Sequence, residues 1–257
     1  KSADLVRERI SEFSIECDLK DGFIDVATNR KHMDDLIDRC EEWKQSGYHH
    51  QLKLVDETHV KKYVNSEAYV GGLIDSGSGH IHPLNLCLGE AKAASELGVQ
   101  IYENTNALEI AEGSLAKVLT ENGSIEADYI VIAANAYIGS LNNKLRRMVM
   151  PAASCIIATE PLSDEQAAKL IPSDMAVCDQ NTILDYYRLS ADKRMLFGGR
   201  FNYSGKIPSD ERIKVEIKKR MVSVFPELSE TKVDYGWSGN VAVSLKKIPQ
   251  LGRLDDN

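Results

Sequence analysis

Residues Tyr129-Ile130-Val131-Ile132-Ala133-Ala134 form an uninterrupted run of apolar side chains. A strand without polar alternation is buried on both faces, as in a parallel sheet covered by helices. The preceding residues suit that setting. Pro83 to Leu97 reads as an amphipathic helix, with Pro83 fitting its first turn and Gly98 stopping it. Val99–Tyr102 reads as a strand. Ala107–Ile110 and Leu115–Leu119 read as short strands, and Asn122-Gly123 as a tight hairpin turn. Residues 79–142 are therefore expected to be the later part of a doubly wound nucleotide-binding domain.

The flanking regions differ in pattern. Strands are expected at Cys155–Thr159, Ile183–Leu189 and Met195–Gly199, with helices at Ser163–Leu170 and Asp210–Val224. Short turns between such strands point to an antiparallel sheet with helices on one side. Earlier in the chain, helices are expected at Asp4–Ile15 and Lys31–Trp43, and strands at Phe23–Ala27 and Tyr69–Asp75. Asp56 is the expected N-cap of a short charged helix. The expected fold class is mixed α/β and α+β: part of a doubly wound domain plus a mixed or antiparallel-sheet domain. The second domain is expected to comprise residues 1–78 and 146–236. Residues 79–142 belong to the first, and residues 237–257 return toward it.

Composition narrows the function. A net charge of -8 repels nucleic acid and anionic lipid. No apolar run reaches the roughly 20 residues of a bilayer span, and no basic-then-apolar leader opens the chain. The five cysteines, Cys17, Cys40, Cys87, Cys155 and Cys178, are scattered and form no C-x-x-C pair. They are expected to be reduced thiols of a cytoplasmic protein. His80 and His82 are spaced like two ligands on one strand face, but a third and fourth are not evident, so no metal is expected.

An ordered set of motifs carries a family likeness. Gly71-Gly72-Leu73-Ile74-Asp75 leads to Gly79-His80-Ile81-His82-Pro83. A helix follows, then Leu97-Gly98-Val99-Gln100-Ile101-Tyr102, then Ala127-Asp128-Tyr129 through Ala133-Ala134-Asn135-Ala136-Tyr137. This order resembles the D-amino-acid-oxidase superfamily of FAD enzymes. Asp185-Tyr186-Tyr187-Arg188-Leu189-Ser190, Leu196-Phe197-Gly198-Gly199-Arg200, Trp237-Ser238-Gly239 and Pro249-Gln250-Leu251-Gly252-Arg253 are similar to its gamma-glutamylputrescine oxidase branch. Two family features are unmatched: the opening Gly-x-Gly-x-x-Gly unit that receives the FAD pyrophosphate, and the closing glycine-rich segment that contacts the flavin. The chain thus reads as a central piece, expected not to retain FAD on its own.

The resemblance implies oxidation of a C–N bond in an amine, with hydride passing to flavin N5 and peroxide formed on reoxidation. No catalytic base is implied. Tyr186 is implied to line the substrate site, and Arg188 and Arg200 to answer a substrate carboxylate. His82, Ala107, Ala134, Asn135 and Tyr137 are implied to lie near FAD. Related amino-acid oxidases place an arginine shortly after the Trp-x-Gly. Here the residues are Asn240-Val241-Ala242-Val243, which favours an extended amine such as gamma-glutamylputrescine. The alternatives are a glycine, sarcosine or D-amino-acid oxidase or dehydrogenase of the same superfamily, or a binding domain that keeps the fold without FAD. The expected partner is a small-molecule amine, with neither nucleic acid nor membrane.

Overall fold

The computed structural model describes residues 2–111, 115–202, 208–244 and 251–253, with backbone alone at 200–202. The elements run α1 (Ser2–Glu12), β1 (Lys20–Ala27), α2 (Arg30–Gln45), β2 (Leu52–Asp56), α3 (Glu57–Val60), β3 (Gly71–His80) and α4 (Pro83–Glu96). They continue with β4 (Ala107–Ala111), β5 (Ala116–Thr120), β6 (Gly123–Ala127), α5 (Asn143–Arg146), β7 (Val149–Pro161) and α6 (Asp164–Leu170). The last are β8 (Ala176–Asp179), β9 (Tyr186–Leu189), β10 (Arg194–Asn202), α7 (Asp210–Val224) and β11 (Val233–Ser244).

Eight strands form one mixed sheet in the order β11-β7-β10-β9-β8-β1-β3-β2. β1 pairs in parallel with β8, while β1–β3, β2–β3, β8–β9 and β9–β10 are antiparallel. The expected mixture of sheet and helices is present. Alternation along the strands divides their side chains between two faces. On one, Ile24, Val26, Ile74, Val177, Tyr187 and Phe197 bury against Ile213, Ile217 and Met221 of α7 and Ala167 and Leu170 of α6. Tyr187 stacks on Phe197 at 5.1 Å and meets Phe225 edge-on at 5.3 Å. Its hydroxyl donates to the Tyr69 hydroxyl at 2.7 Å. That bond satisfies a polar group which burial would otherwise penalise. On the other face, Leu36 and Cys40 of α2 cover Leu73, Leu52 and Ala27.

Local chemistry explains several boundaries. Asp56 caps α3, accepting from the amides of Thr58 and His59. Ser163 and Gln166 form a reciprocal capping box on α6. Gly98 follows α4 at φ +91°, a conformation that favours glycine.

By contact density the chain divides into two units. One comprises residues 1–99, 155–200 and 208–238 and contains most of the eight-stranded sheet. The other comprises residues 100–154, 201–207 and 239–257. Its regular core is the antiparallel sheet β4-β5-β6, whose hairpin closes at Thr120–Gly123. Two expected strands are corrected here. Val99–Tyr102 and Tyr129–Ala134 carry no strand pairing. Tyr129 and Val131 are 81% and 88% exposed. An apolar run becomes a strand only where neighbours accept its backbone hydrogen bonds, and none of the described residues does so.

Candidate functional site

The strand register, parallel between β1 and β8 and antiparallel between β8, β9 and β10, aligns a row of residues across the sheet. Asp25 pairs with Cys178, Cys178 with Tyr186, and Tyr186 with Gly198. Directly paired residues share a face, so this row lies opposite the buried row Ile24, Val177, Tyr187 and Phe197. α2 covers only one end of the first row, where Arg39 Nη2 approaches Asp25 Oδ2 at 3.0 Å. Asp25 Oδ1 also accepts from Gln180 Nε2 at 2.9 Å. Burial dominates at Asp25 and raises its pKa, despite the opposing Arg39 charge.

Tyr186 and Arg188 stand two apart on β9 and share this second face, while Tyr187 and Leu189 between and after them are buried. Gly198 allows the close approach of Tyr186. A Cβ at residue 198 would lie 2.1 Å from Tyr186 Cε2, so the ring occupies the space a side chain would need. Sequence reading selected Tyr186 but missed Gly198. The available signal was a glycine inside a strand.

Arg188 is half-buried, and burial lowers its pKa, opposed by the negative charges of Asp18 and Asp174. Its Nη1 donates to the Leu189 carbonyl at 3.1 Å. Nearby, Lys20 Nζ pairs with Asp174 Oδ2 at 2.7 Å. His80 is buried and bonds the Asp174 carbonyl through Nε2 at 2.8 Å. A carbonyl only accepts, so Nε2 carries the proton and Nδ1 keeps a lone pair in the neutral ring. That Nδ1 is buried without a hydrogen-bond partner. Burial is the main cause lowering the His80 pKa.

The remaining sequence candidates lie elsewhere. His82 is the N-cap of α4, its Nδ1 accepting from the Asn85 amide at 3.2 Å. Ala107 starts β4 and is exposed. Ala134 precedes the short 3-10 turn Asn135–Tyr137. Asn135 Oδ1 accepts from the Ala242 amide at 2.7 Å, and the Tyr137 hydroxyl accepts from the Asn240 amide at 3.3 Å. These two side chains therefore hold the end of β11. Arg200 lies on β10, but its side chain falls outside the described residues, as do Pro249 and Gln250. Thus Tyr186 and Arg188 are brought together, as are Asn135 and Tyr137.

Comparison with known proteins places this architecture. The profile of the FAD dependent oxidoreductase family matches residues 1–257. A probable oxidoreductase, OrdL, from Haemophilus influenzae is 41% identical over 99% of this chain. The gamma-glutamylputrescine oxidoreductase of Escherichia coli is 40% identical over all of it. The chain spans 59% and 60% of the lengths of those two relatives. Among solved structures, glycine oxidase from Geobacillus kaustophilus superposes with a TM-score of 0.80 at 21% identity, covering 98% of this chain and 67% of that one. L-proline dehydrogenase from P. horikoshii gives 0.83 at 16% identity, covering 99% and 68%. These likenesses establish the fold.

Tyr129, Val131 and Tyr137 expose aromatic and apolar surface in the unit that also carries Ala107 and Ala134. The 257 residues contain no Gly-x-Gly-x-x-Gly unit for a pyrophosphate. With the profile matched over the whole chain and two relatives at 40% identity or above, the chain belongs to the FAD-dependent oxidoreductase family that includes D-amino-acid oxidase.

Proposed function

We propose that the protein containing this chain oxidises the C–N bond of an extended amine of the gamma-glutamylputrescine kind. The observation that carries this reading is the pairing of Tyr186 with Arg188 on the sheet face opposite the α6–α7 core. A phenol and a guanidinium side by side can bind an amine substrate that also bears a carboxylate. The phenol can hydrogen-bond or shield the amine end, and the guanidinium can make paired bonds to the carboxylate. Bound FAD would supply the oxidising power. The chain's own residues would orient the substrate and exclude water from it. Ala107, Ala134 and the exposed surface around Tyr129 and Tyr137 would contribute to cofactor contact, and His82 would stand beside it. Residues 79–142 and 237–257 would then serve the cofactor, and residues 1–78 and 146–236 the substrate.

Support for the amine comes from two further facts. The Escherichia coli relative at 40% identity is named for gamma-glutamylputrescine. Asn240-Val241-Ala242-Val243, directly after Trp237-Ser238-Gly239, hold no arginine where an α-carboxylate clamp would stand. A buried carboxylate left without a partner costs about 1–3 kcal/mol or more, a penalty that falls on small α-amino acids. Five free cysteines suit a reducing cytoplasm.

The test is peroxide release by the full-length protein with gamma-glutamylputrescine, sarcosine, glycine and a D-amino acid. The first should have the highest kcat/KM, and Arg188→Ala should raise its KM. A higher kcat/KM for sarcosine, glycine or a D-amino acid would overturn the substrate assignment. Absence of bound flavin in the full-length protein would overturn the enzymatic reading.

A further inference from the structure

A second cluster of chemistry-bearing side chains lies in the same unit, beside the edge strand β2 and away from β9. It joins Asp4 of α1 to His49 and His50, in the segment between α2 and β2. One ligand atom from each residue can be chosen so that all three lie within 4.8 Å of one another. Asp4 Oδ1 is 3.7 Å from His50 Nε2, and the two imidazole centroids are 4.2 Å apart. We propose that Asp4, His49 and His50 form a binding site for one divalent cation of the Zn2+ type, completed by water.

The donor set suits that ion. Two imidazoles and a carboxylate are borderline ligands that zinc accepts, with metal–ligand distances of about 2.0–2.2 Å. Two ligands at those distances in a tetrahedron lie roughly 3.3 Å apart. The Asp4 Oδ1–His50 Nε2 separation of 3.7 Å is already close to this value.

The scaffold holds both ligand-bearing segments against one stretch of β3. On the helix side, Arg7 lies one turn from Asp4. Its Nη1 donates to the Gly77 carbonyl at 3.1 Å, and its Nη2 to the Ser78 carbonyl at 3.3 Å. Arg7 Nη2 also pairs with Asp21 at 2.7 Å. On the loop side, the Tyr48 hydroxyl donates to Asp75 at 2.8 Å, and the Gln51 amide donates to Ser76 Oγ at 3.1 Å. His50 lies directly on the Gly77 backbone. A Cβ there would sit 2.3 Å from His50 Cγ, so glycine is what lets the imidazole settle. Residues 75–78 thus fix α1 through Arg7 and the loop through Tyr48, Gln51 and His50. Ligands held by independent supports lose little freedom when a cation binds. The bound ion would clip α1 to the loop.

The test uses full-length protein made without a polyhistidine tag, stripped with EDTA and desalted. Zn2+ is titrated by calorimetry, and Co2+ is followed by visible absorption. We expect one Zn2+ per chain and Co2+ ligand-field bands. His49→Ala and Asp4→Asn should each weaken binding by more than about tenfold. His49 is exposed and Asp4→Asn preserves shape, so neither change removes a core contact. Cys87→Ser should bind Zn2+ normally, although Cys87 is the exposed thiol. Zinc should also raise the Tm of the parent protein and leave that of His49→Ala unchanged. No Zn2+ binding by the parent, or undiminished binding by both variants, overturns the proposal. Loss of binding in Cys87→Ser also overturns it, by assigning the ion to the thiol.

Discussion

The two units use similar residues to opposite effect. In the larger unit, strand side chains such as Ile24, Val177 and Phe197 are fully or almost fully buried. In the smaller one, Leu108, Ile125, Tyr129 and Val131 stand in solvent, and Ile138, Ala152 and Ala153 are its buried apolar residues among those described. Hydrophobic pattern alone does not separate them. The large sheet has helices α6 and α7 across one face, whereas β4-β5-β6 has no corresponding layer among the described residues. An apolar strand contributes stability only through what covers it.

Matched truncations test this contrast most strongly. Phe197→Ala removes a ring that stacks on Tyr187 and should lower unfolding free energy by about 3–5 kcal/mol in urea melts. Val131→Ala should change it by less than about 0.5 kcal/mol. Equal losses at the two positions would erase the distinction between the units.

A smaller effect is expected at the polar edge of the larger unit. Arg220 Nε meets the buried Asp185 Oδ1 at 2.5 Å, and Arg220 Nη2 donates to the Ile183 carbonyl at 3.0 Å. Arg220→Ala leaves Asp185 buried without its cation and should cost roughly 2 kcal/mol. The double change Arg220→Ala with Asp185→Asn should recover part of that loss. No recovery would mean that packing, rather than charge, sets the cost.

Ser163→Ala should cost about 1 kcal/mol by opening the capping box of α6, with Ser163→Asn nearly neutral. The smallest effect concerns His80. Its folded pKa is lowered, chiefly by burial, so folding favours the neutral ring. That contribution is complete above the unfolded value of about 6.5 and is lost as pH falls from there through the folded pKa. Urea midpoints measured from pH 8 to pH 5 should therefore fall less steeply for His80→Gln. A steeper fall in the variant would contradict the sign.

Much of the larger unit was legible in sequence because its signals are local. Asp56 and Ser163 announce helix starts, and the α7 pattern places Ile213, Ile217 and Met221 on one face. Tyr186 could be singled out, but the row it joins could not. Cross-strand register brings together Asp25, Cys178 and Gly198, which are remote in sequence. The Asp4–His49–His50 cluster was hidden for the same reason, because its carboxylate lies far from the two histidines in sequence. Tyr129–Ala134 failed in the opposite way. Its local signal was strong, but the backbone partners a strand requires are not found among the described residues.

The parallel pairing of β1 with β8 also sets a timetable for biosynthesis. Phe23 must wait for Ala176 before the two can join. At ribosomal rates of about 5–20 residues per second, that delay is roughly 8–30 s. Meanwhile β1, β2 and β3 can already assemble as an antiparallel trio, with one side of β1 offering unsatisfied amides and carbonyls. Such an open edge invites a neighbouring nascent chain to add a strand. The interval before residue 176 emerges is therefore when β1 is open to such pairing, and slowing translation within residues 100–175 should lengthen that exposure.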